Sequence, residues 1–527
     1  MPQTQSIPFS ELPMHSKLVK AYLNNAPDLA HLHNGLPTAE SVSKTARSRT
    51  FFASGRTLIH QAIAKQYQTT GMDVPSFWNE VLEEKTFTIT TGHQLCLFTG
   101  PLYFIYKILH AIRLAETMNA SGDGNKYIPA FWMATEDHDF EEINHFTLFG
   151  KKQVWERPFG DAVGRLSTEG LAQLGEQVAE ILGESENAKT LSGYFKTAYS
   201  EPTLARATRK LVHLLFGDKI IVIDGDDASL KKAFIPHLEK ELASQQAELL
   251  TRKTNEFLAA NYHVQVQPRS LNLFYLDSEN RERLDITPDG RYLTVDSGQA
   301  FTRDEILKQV HAHPEKFSPN VILRPLYQEV ILPNVAYIGG GGEIAYWLQL
   351  KAMFAAFQVD FPLLCVRSSF VWIEQRNQEK LQALNLRIQN LFASEEEWHK
   401  VLVSALPEEA QVDLQAEKDA SLLFFTQLSA KATKTEGSLG PSVEAEGAKL
   451  ANYLDKLEKR LIAAEKKKNE VLINQLNNIR QKINPNGTLQ ERVDNFSILY
   501  LKLGQDFFAT LEKELSPFST DIKSITY

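Results

Sequence analysis

Twice this chain runs through a continuous apolar stretch and stops at a cluster of acids. Tyr127-Ile-Pro-Ala-Phe-Trp-Met-Ala134 ends in Thr135-Glu-Asp-His-Asp139, and Lys219-Ile-Ile-Val-Ile223 ends in Asp224-Gly-Asp-Asp227, after which a helical pattern runs to about Gln246. A strand that is apolar on both sides must be covered on both faces, as in a parallel sheet flanked by helices. Two further runs fit the same scheme. Phe87-Thr-Ile-Thr90 feeds Thr91-Gly-His-Gln94 and a helix start at Thr99-Gly-Pro101, where a proline suits the first helical position. Leu102, Ile105, Ile108, Leu109, Ile112 and Leu114 then form one apolar face, with Lys107 and Arg113 off it. Phe361-Pro-Leu-Leu-Cys-Val366 ends in Arg367-Ser-Ser369. The pattern predicts an α/β fold with a doubly wound parallel sheet. In such a sheet ligands sit off the carboxyl ends of the strands.

The 527 residues exceed one ordinary core, so two or more structural units are expected. The 56 basic and 65 acidic residues leave a net charge of −9, which argues against a nucleic-acid binder. Cys96 and Cys365, both beside apolar residues, make neither a disulfide framework nor a zinc site. The N-terminal stretch has no basic segment followed by an apolar one, and no run is long enough to span a membrane. A cytoplasmic protein is expected.

Three stretches carry chemistry. His93 and Gln94 lie at the ligand edge, although a plain βα turn explains them equally well. Glu136, Asp137, His138 and Asp139 are four consecutive ionisable residues at the end of a buried strand. Their repulsion needs a cation, an amine or a hydrogen-bond network to offset it. The alternative is a helix N-terminus decorated with acids. The His138/His145 spacing matches no zinc pattern, so no protein-bound metal is expected; Mg²⁺ carried on nucleotide phosphates stays open. Gly339 to Gly342 precede a helix opening at Glu343 and read either as an anion loop or as a tight turn. The motif is neither a Walker A nor a dinucleotide fingerprint. Arg324 has the fork geometry to grip a carboxylate or phosphate. Arg47, Arg49 and Arg56 read either as the lining of an anion pocket or as a solvated helix face, and the second is the expectation.

Residues 150–218 read as an insertion. Residues 260–300 read as an antiparallel addition containing strands at Val264–Arg269 and Leu271–Leu276. Past Trp372 the texture is helical. Leu450, Leu454, Leu457 and Leu461 keep heptad phase, and Leu472, Leu476, Ile479 and Ile483 resume it. With a turn at Gly437-Ser-Leu-Gly-Pro441, this predicts an antiparallel coiled-coil hairpin and, through its remaining face, a homodimer. The expected division is a core at 1–372, an arm at 373–484 and a closing segment at 485–527.

Together, Thr91-Gly-His-Gln94 with Thr99-Gly-Pro-Leu-Tyr103, Glu136-Asp-His-Asp-Phe-Glu-Glu-Ile-Asn144 and Gly342-Glu-Ile-Ala-Tyr-Trp347 resemble the bacillithiol-biosynthesis cysteine ligase family, BshC. The resemblance extends through the coiled coil to Pro485-Asn-Gly-Thr-Leu-Gln-Glu-Arg492. The family usually has glutamine where His93 stands and proline where Gly341 stands. The resemblance implies a Rossmann-like core similar to class I aminoacyl-tRNA synthetases, with inserted connecting elements and a coiled-coil arm. It also implies joining of the cysteine carboxyl to the amine of glucosaminyl-malate, with ATP and Mg²⁺ as the expected source of activation. Thr91, Gly92, His93, Gln94, Gly340, Gly341 and Gly342 are then expected at the nucleotide. Asp137 and Asp139 are expected at an ammonium group, with one of them or His138 taking the proton. Arg324 and Arg367 are expected at the malate carboxylates. Glu136, Asn144, Glu343, Tyr346, Trp347 and Ser368 complete the substrate-binding candidates. The alternatives are a dimeric metabolite-binding protein without catalysis and an ATP-dependent ligase for another amine.

Overall fold

The computed structural model describes residues 3–12, 15–157, 162–277, 280–406 and 413–527. Five strands form the central sheet: β1 (Thr86–His93), β2 (Lys126–Met133), β3 (Ile221–Asp224), β4 (Asn334–Gly339) and β5 (Leu363–Val366). All four pairings are parallel, and the spatial order is 3-2-1-4-5. The order reverses between β1 and β4, the topological switch point at which doubly wound sheets bind ligands.

Every residue of β1 is buried. Two of its threonines satisfy their hydroxyls across the sheet: Thr90 donates to Asn334 Oδ1 at 2.8 Å and Thr91 to the Ile338 carbonyl at 2.8 Å. The chain leaves β1 through a sharp turn in which Phe98, Thr99 and Gly100 all have positive φ. A Cβ on Gly100 would stand 2.7 Å from the Cys96 Cβ, so only glycine fits. Asn495 clamps this turn by donating to the Phe98 and Gly100 carbonyls at 2.8 and 2.6 Å. Helix α1 (Tyr103–Ser121) follows, starting two residues beyond Pro101.

The connections differ from expectation in two places. Val264–Arg269 is not a strand: the side-chain amides of Gln349 and Asn255 take up the backbone groups of Gln265 and Val266 that a ladder would use. The antiparallel sheet instead joins Leu273–Leu276, Arg281–Ile286, Tyr292–Thr294, Ala300–Phe301 and Phe317–Pro319. Arg49 and Arg56 are buried, whereas Arg47 is exposed. Arg49 donates to the carbonyls of Asp360, Glu329 and Leu332, and Arg56 to those of Val81, Glu84 and Thr86. These buried guanidinium groups persist because their terminal nitrogens donate to backbone carbonyls, although the Nε of each has no hydrogen-bond partner among the described residues.

Two compact units divide the chain. Residues 2–371 with Glu491–Lys523 form the α/β unit; Trp372–Gln490 with Ser524–Tyr527 form the helical one. In the helical unit, Gln415–Thr435 and Leu439–Lys468 form an antiparallel hairpin. Lys418 pairs with Asp455 and Glu458, while a Cβ on Gly447 would lie 2.9 Å from Phe425. The turn is shorter than expected, because Leu439-Gly-Pro441 already belongs to the second helix. Proline is tolerated there because the first turn has unbonded N–H positions. The heptad interruption is a break at Asn469, after which Glu470–Ile483 begins.

Candidate active site

A cavity of about 650 Å³ opens at the carboxyl edge of the sheet, over the β1/β4 switch point. Gly92, His93 and Gln94 border it from β1, and Trp132, Met133 and the start of the acidic run from β2. Gly340, Gly342, Glu343 and Tyr346 border it from the end of β4 and the short helix Gly341–Trp347. Arg324, Arg367 and Arg492 from the same unit, with Arg269, Arg281 and Asn320 around the antiparallel addition, complete the wall.

Glu343 is the hub. Its carboxylate accepts from Lys107 Nζ at 2.7 Å, from the Tyr337 hydroxyl at 2.6 Å and from the Gly340 N–H at 2.8 Å. Lys107 also donates to the Gly92 carbonyl. Burial works against the charge on Glu343, but the Lys107 ammonium and these donors prevail and hold the carboxyl down at about 2. The Gly339–Gly342 stretch is therefore built around an internal carboxylate. Trp347 does not reach the cavity: it is fully buried and stacks on Tyr337 at 4.4 Å. Gly341 also turns away, since a Cβ there would lie 2.9 Å from His15 Nδ1.

The acidic run splits by direction. Glu136 is buried in an ion pair with Lys231. Asp137 accepts from Gln94 Nε2 and from the His138 N–H at 2.7 Å, with Arg281 4.0 Å away. Burial would raise its carboxyl, yet hydrogen bonds from His138 and the Arg281 charge keep it well below the usual carboxylate range. His138 Nδ1 lies between these two groups, 2.7 Å from Arg281 NH1 and 3.4 Å from Asp137 Oδ1. Asp139 lies outside the cavity wall, where it caps the short helix Phe140–Ile143 by accepting from the Glu142 N–H at 3.2 Å. Asn144 ends that helix, its carbonyl bonded to the Trp155 N–H and its side chain to His145, and it does not border the cavity. Glu142 does, receiving Gln94 Nε2 at 3.2 Å. Burial, then Asp139 and Asp137, raise its carboxyl.

His93 is buried against Tyr103 and Phe104, with Nδ1 3.0 Å from the Gln94 carbonyl. Burial and the Lys107 charge push it down to about 3, so the ring is neutral at ordinary pH and presents Nε2 as an acceptor. Thr91 is spent on the Ile338 carbonyl and does not face the cavity. Ser368 points to His110 Nδ1, 3.0 Å from its N–H, and is likewise off the wall.

Three of the bordering arginines, Arg269, Arg324 and Arg492, have no carboxylate within ion-pair distance among the described residues. Arg324 is held by Gln328 Oε1 at 3.0 Å and lies over the Tyr337 ring. Arg367 differs, being paired with buried Glu491 at 2.6 Å while stacking on Tyr103. Among the described residues, no three His, Cys, Asp or Glu side chains are grouped to hold a metal ion. That donor set does not fit a protein-built Mg²⁺ cage. No described helix is long and apolar enough to cross a membrane.

Lys107, Tyr103, Tyr337, Arg281, Glu142 and Arg492 are site residues that sequence reasoning did not single out. Tyr103 and Lys107 are four apart at the start of α1, so they share the helix face nearest the β1 loop. That spacing was the available signal. Arg281, on a strand of the antiparallel addition, gave none.

A parallel sheet of order 3-2-1-4-5 with a charged cavity at its switch point defines a Rossmann-like small-molecule site. Residues 3–368 match the family model described as "Bacillithiol biosynthesis BshC, N-terminal Rossmann-like domain", and residues 370–527 match "Bacillithiol biosynthesis BshC, C-terminal coiled-coil domain". Proteins named "Putative cysteine ligase BshC" from Flavobacterium johnsoniae and Flavobacterium psychrophilum are 40% and 41% identical, each match covering 99% of both chains. This chain belongs to the BshC family. A solved structure titled "putative arginyl t-RNA synthetase" from Campylobacter jejuni aligns with 87% of this chain and 98% of its own at 14% identity and a TM-score of 0.21; the fold assignment rests on the strand order instead.

Proposed function

We propose that this chain joins the carboxyl of L-cysteine to the amine of glucosaminyl-malate, forming bacillithiol, with ATP activating the carboxyl. The observation that carries the reading is the division of charge in the cavity: Arg269, Arg324 and Arg492, with no ion-pair partner among the described residues, on one hand, and Asp137 and Glu142 on the other. A substrate with carboxylates at one end and an amine at the other answers both.

Amide formation from a free carboxylate is uphill in water. A cysteine carboxylate oxygen therefore attacks a phosphorus of ATP, giving either an acyl-adenylate with pyrophosphate or an acyl-phosphate with ADP. The amine then attacks the acyl carbon, expelling AMP or phosphate and losing a proton. Asp137, held ionised, suits an ammonium group; Glu142, whose carboxyl is raised, suits proton uptake. Arg324 meets a malate carboxylate. Neutral His93 and the Gln94 amide line the side assigned to the nucleotide. The exposed Leu422, Leu423 and Phe424 of the hairpin fit a homodimer in which a second copy covers them.

The test is a mass-spectrometric assay of purified protein with cysteine, glucosaminyl-malate, ATP and Mg²⁺. Bacillithiol together with AMP or ADP is expected. Binding of cysteine and sugar without turnover favours the metabolite-binding reading.

A further inference from the structure

Beneath the cavity floor, a chain of buried polar groups leads to Arg324. Its NH1 donates to Gln328 Oε1 at 3.0 Å. Gln328 Nε2 donates to Glu329 Oε1 at 2.9 Å, and Asn334 Nδ2 donates to the same oxygen at 2.7 Å. Asn334 Oδ1 in turn accepts from Thr90 at 2.8 Å. The other Glu329 oxygen lies 3.3 Å from Arg49 NH2. Neither Gln328 nor Glu329 borders the cavity, and both are buried.

We infer that Gln328 and Glu329 are positioning residues that hold the Arg324 guanidinium ready for a carboxylate of the acceptor substrate. The argument is one of donor and acceptor parity. An amide can face Arg324 with its oxygen or with its NH₂, and only the oxygen is attractive. Glu329, through its Oε1, takes the NH₂ of Gln328 and so turns the Gln328 oxygen toward Arg324. Arg49 holds the carboxylate from behind. Replacing Glu329 by glutamine breaks the parity. The new NH₂ must face either the Arg49 guanidinium or the amide NH₂ groups of Gln328 and Asn334. Arg324 makes no ion pair among the described residues, so Gln328 and the Tyr346 hydroxyl are its hydrogen-bond anchors.

This inference rests on the reading that Arg324 meets a carboxylate, and its test is separable from turnover. L-Malate and D-glucosamine are titrated calorimetrically into wild type, Arg324→Gln, Gln328→Met, Glu329→Gln and the Arg324→Gln/Gln328→Met double variant, with circular dichroism melts to verify folding. Gln328→Met leaves the Arg49–Glu329 contact in place, so it keeps the test valid if Glu329→Gln does not fold. Malate binding is expected to weaken about tenfold or more in Gln328→Met, the scale of a hydrogen bond to a charged group. Glucosamine binding should be unchanged, and the double variant should bind malate no more weakly than Arg324→Gln alone. Malate binding at wild-type strength in Gln328→Met, full additivity in the double variant, or no malate binding by wild type would each overturn the inference. The ligase reading fails separately, if malate binding depends on these residues yet no amide is ever formed.

Discussion

Lys107 donates to Glu343 at 2.7 Å across the point where the strand order reverses. Lys107 comes from the helix after β1 and Glu343 from the helix after β4, so one ion pair ties together the two loops that flank the cavity. Lys107 is 2% exposed, which makes its charge costly unless Glu343 answers it.

Lys107→Met should therefore destabilise the protein by about 3 kcal/mol, the low end for breaking a buried pair because Glu343 keeps some solvent access. Urea unfolding measures this. A loss below about 1 kcal/mol would mean that the pair contributes no more than a surface one.

Glu343 also sets an acid limit. Its carboxyl sits near 2 in the folded protein, below the 4.5 of an ordinary glutamate. As pH falls, the unfolded chain takes up this proton first. The stability from this group is complete above about 4.5 and is lost as pH drops toward 2. Glu343→Gln should flatten that part of the acid unfolding curve. An unchanged acid slope would contradict the assignment.

His93 should act without ever being charged, because burial and Lys107 hold it near 3. His93→Gln, which installs the residue usual at this place in the family, should keep ligation within about threefold. His93→Phe, lacking any polar atom, should cost about tenfold or more. A pH–rate inflection near the ordinary histidine value that disappears in His93→Gln would show the opposite.

Asp137 and Asp139 should separate cleanly. Asparagine caps a helix about as well as aspartate, so Asp139→Asn should change stability by less than about 0.5 kcal/mol and leave rates intact. Asp137→Asn should raise the KM for the amine substrate about tenfold, the scale of a charge-assisted hydrogen bond. Equal kinetics for the two variants would remove Asp137 from the site.

The hairpin carries the dimer prediction. Leu422, Leu423 and Phe424 are each at least 60% exposed in the single chain. Light scattering is expected to give twice the chain mass for wild type, and the monomer mass for a Leu422→Glu/Phe424→Glu variant. A monomeric wild type would leave the exposed face without its proposed cover.

The central sheet was legible because β2 and β3 are unbroken apolar runs ending in acids, a pattern that few folds other than a covered parallel sheet accommodate. The cavity was legible as an edge but not as a set of contacts. Four consecutive ionisable residues do not announce their partners: Glu136 borders the cavity while paired with Lys231, Asp137 borders it beside Arg281, and Asp139 caps a helix. The capping role had a local sign, an aspartate three residues before Glu142. Lys107 reads from sequence as a polar residue on the solvent side of an apolar helix. Only the third dimension shows that α1 is buried along that side as well. Arg281, far from Asp137 in the chain and on an added strand, offered nothing to read.

The most direct measurement uses cysteine labelled with oxygen-18 in its carboxylate, incubated with protein, glucosaminyl-malate, ATP and Mg²⁺. If the carboxylate attacks phosphorus and the amine then displaces the activated oxygen, one labelled oxygen must leave with AMP or phosphate as bacillithiol forms. Bacillithiol with label in the released AMP or phosphate is the predicted result. Amide formed without label transfer, or no amide while both substrates bind, would contradict an ATP-activated cysteine ligase.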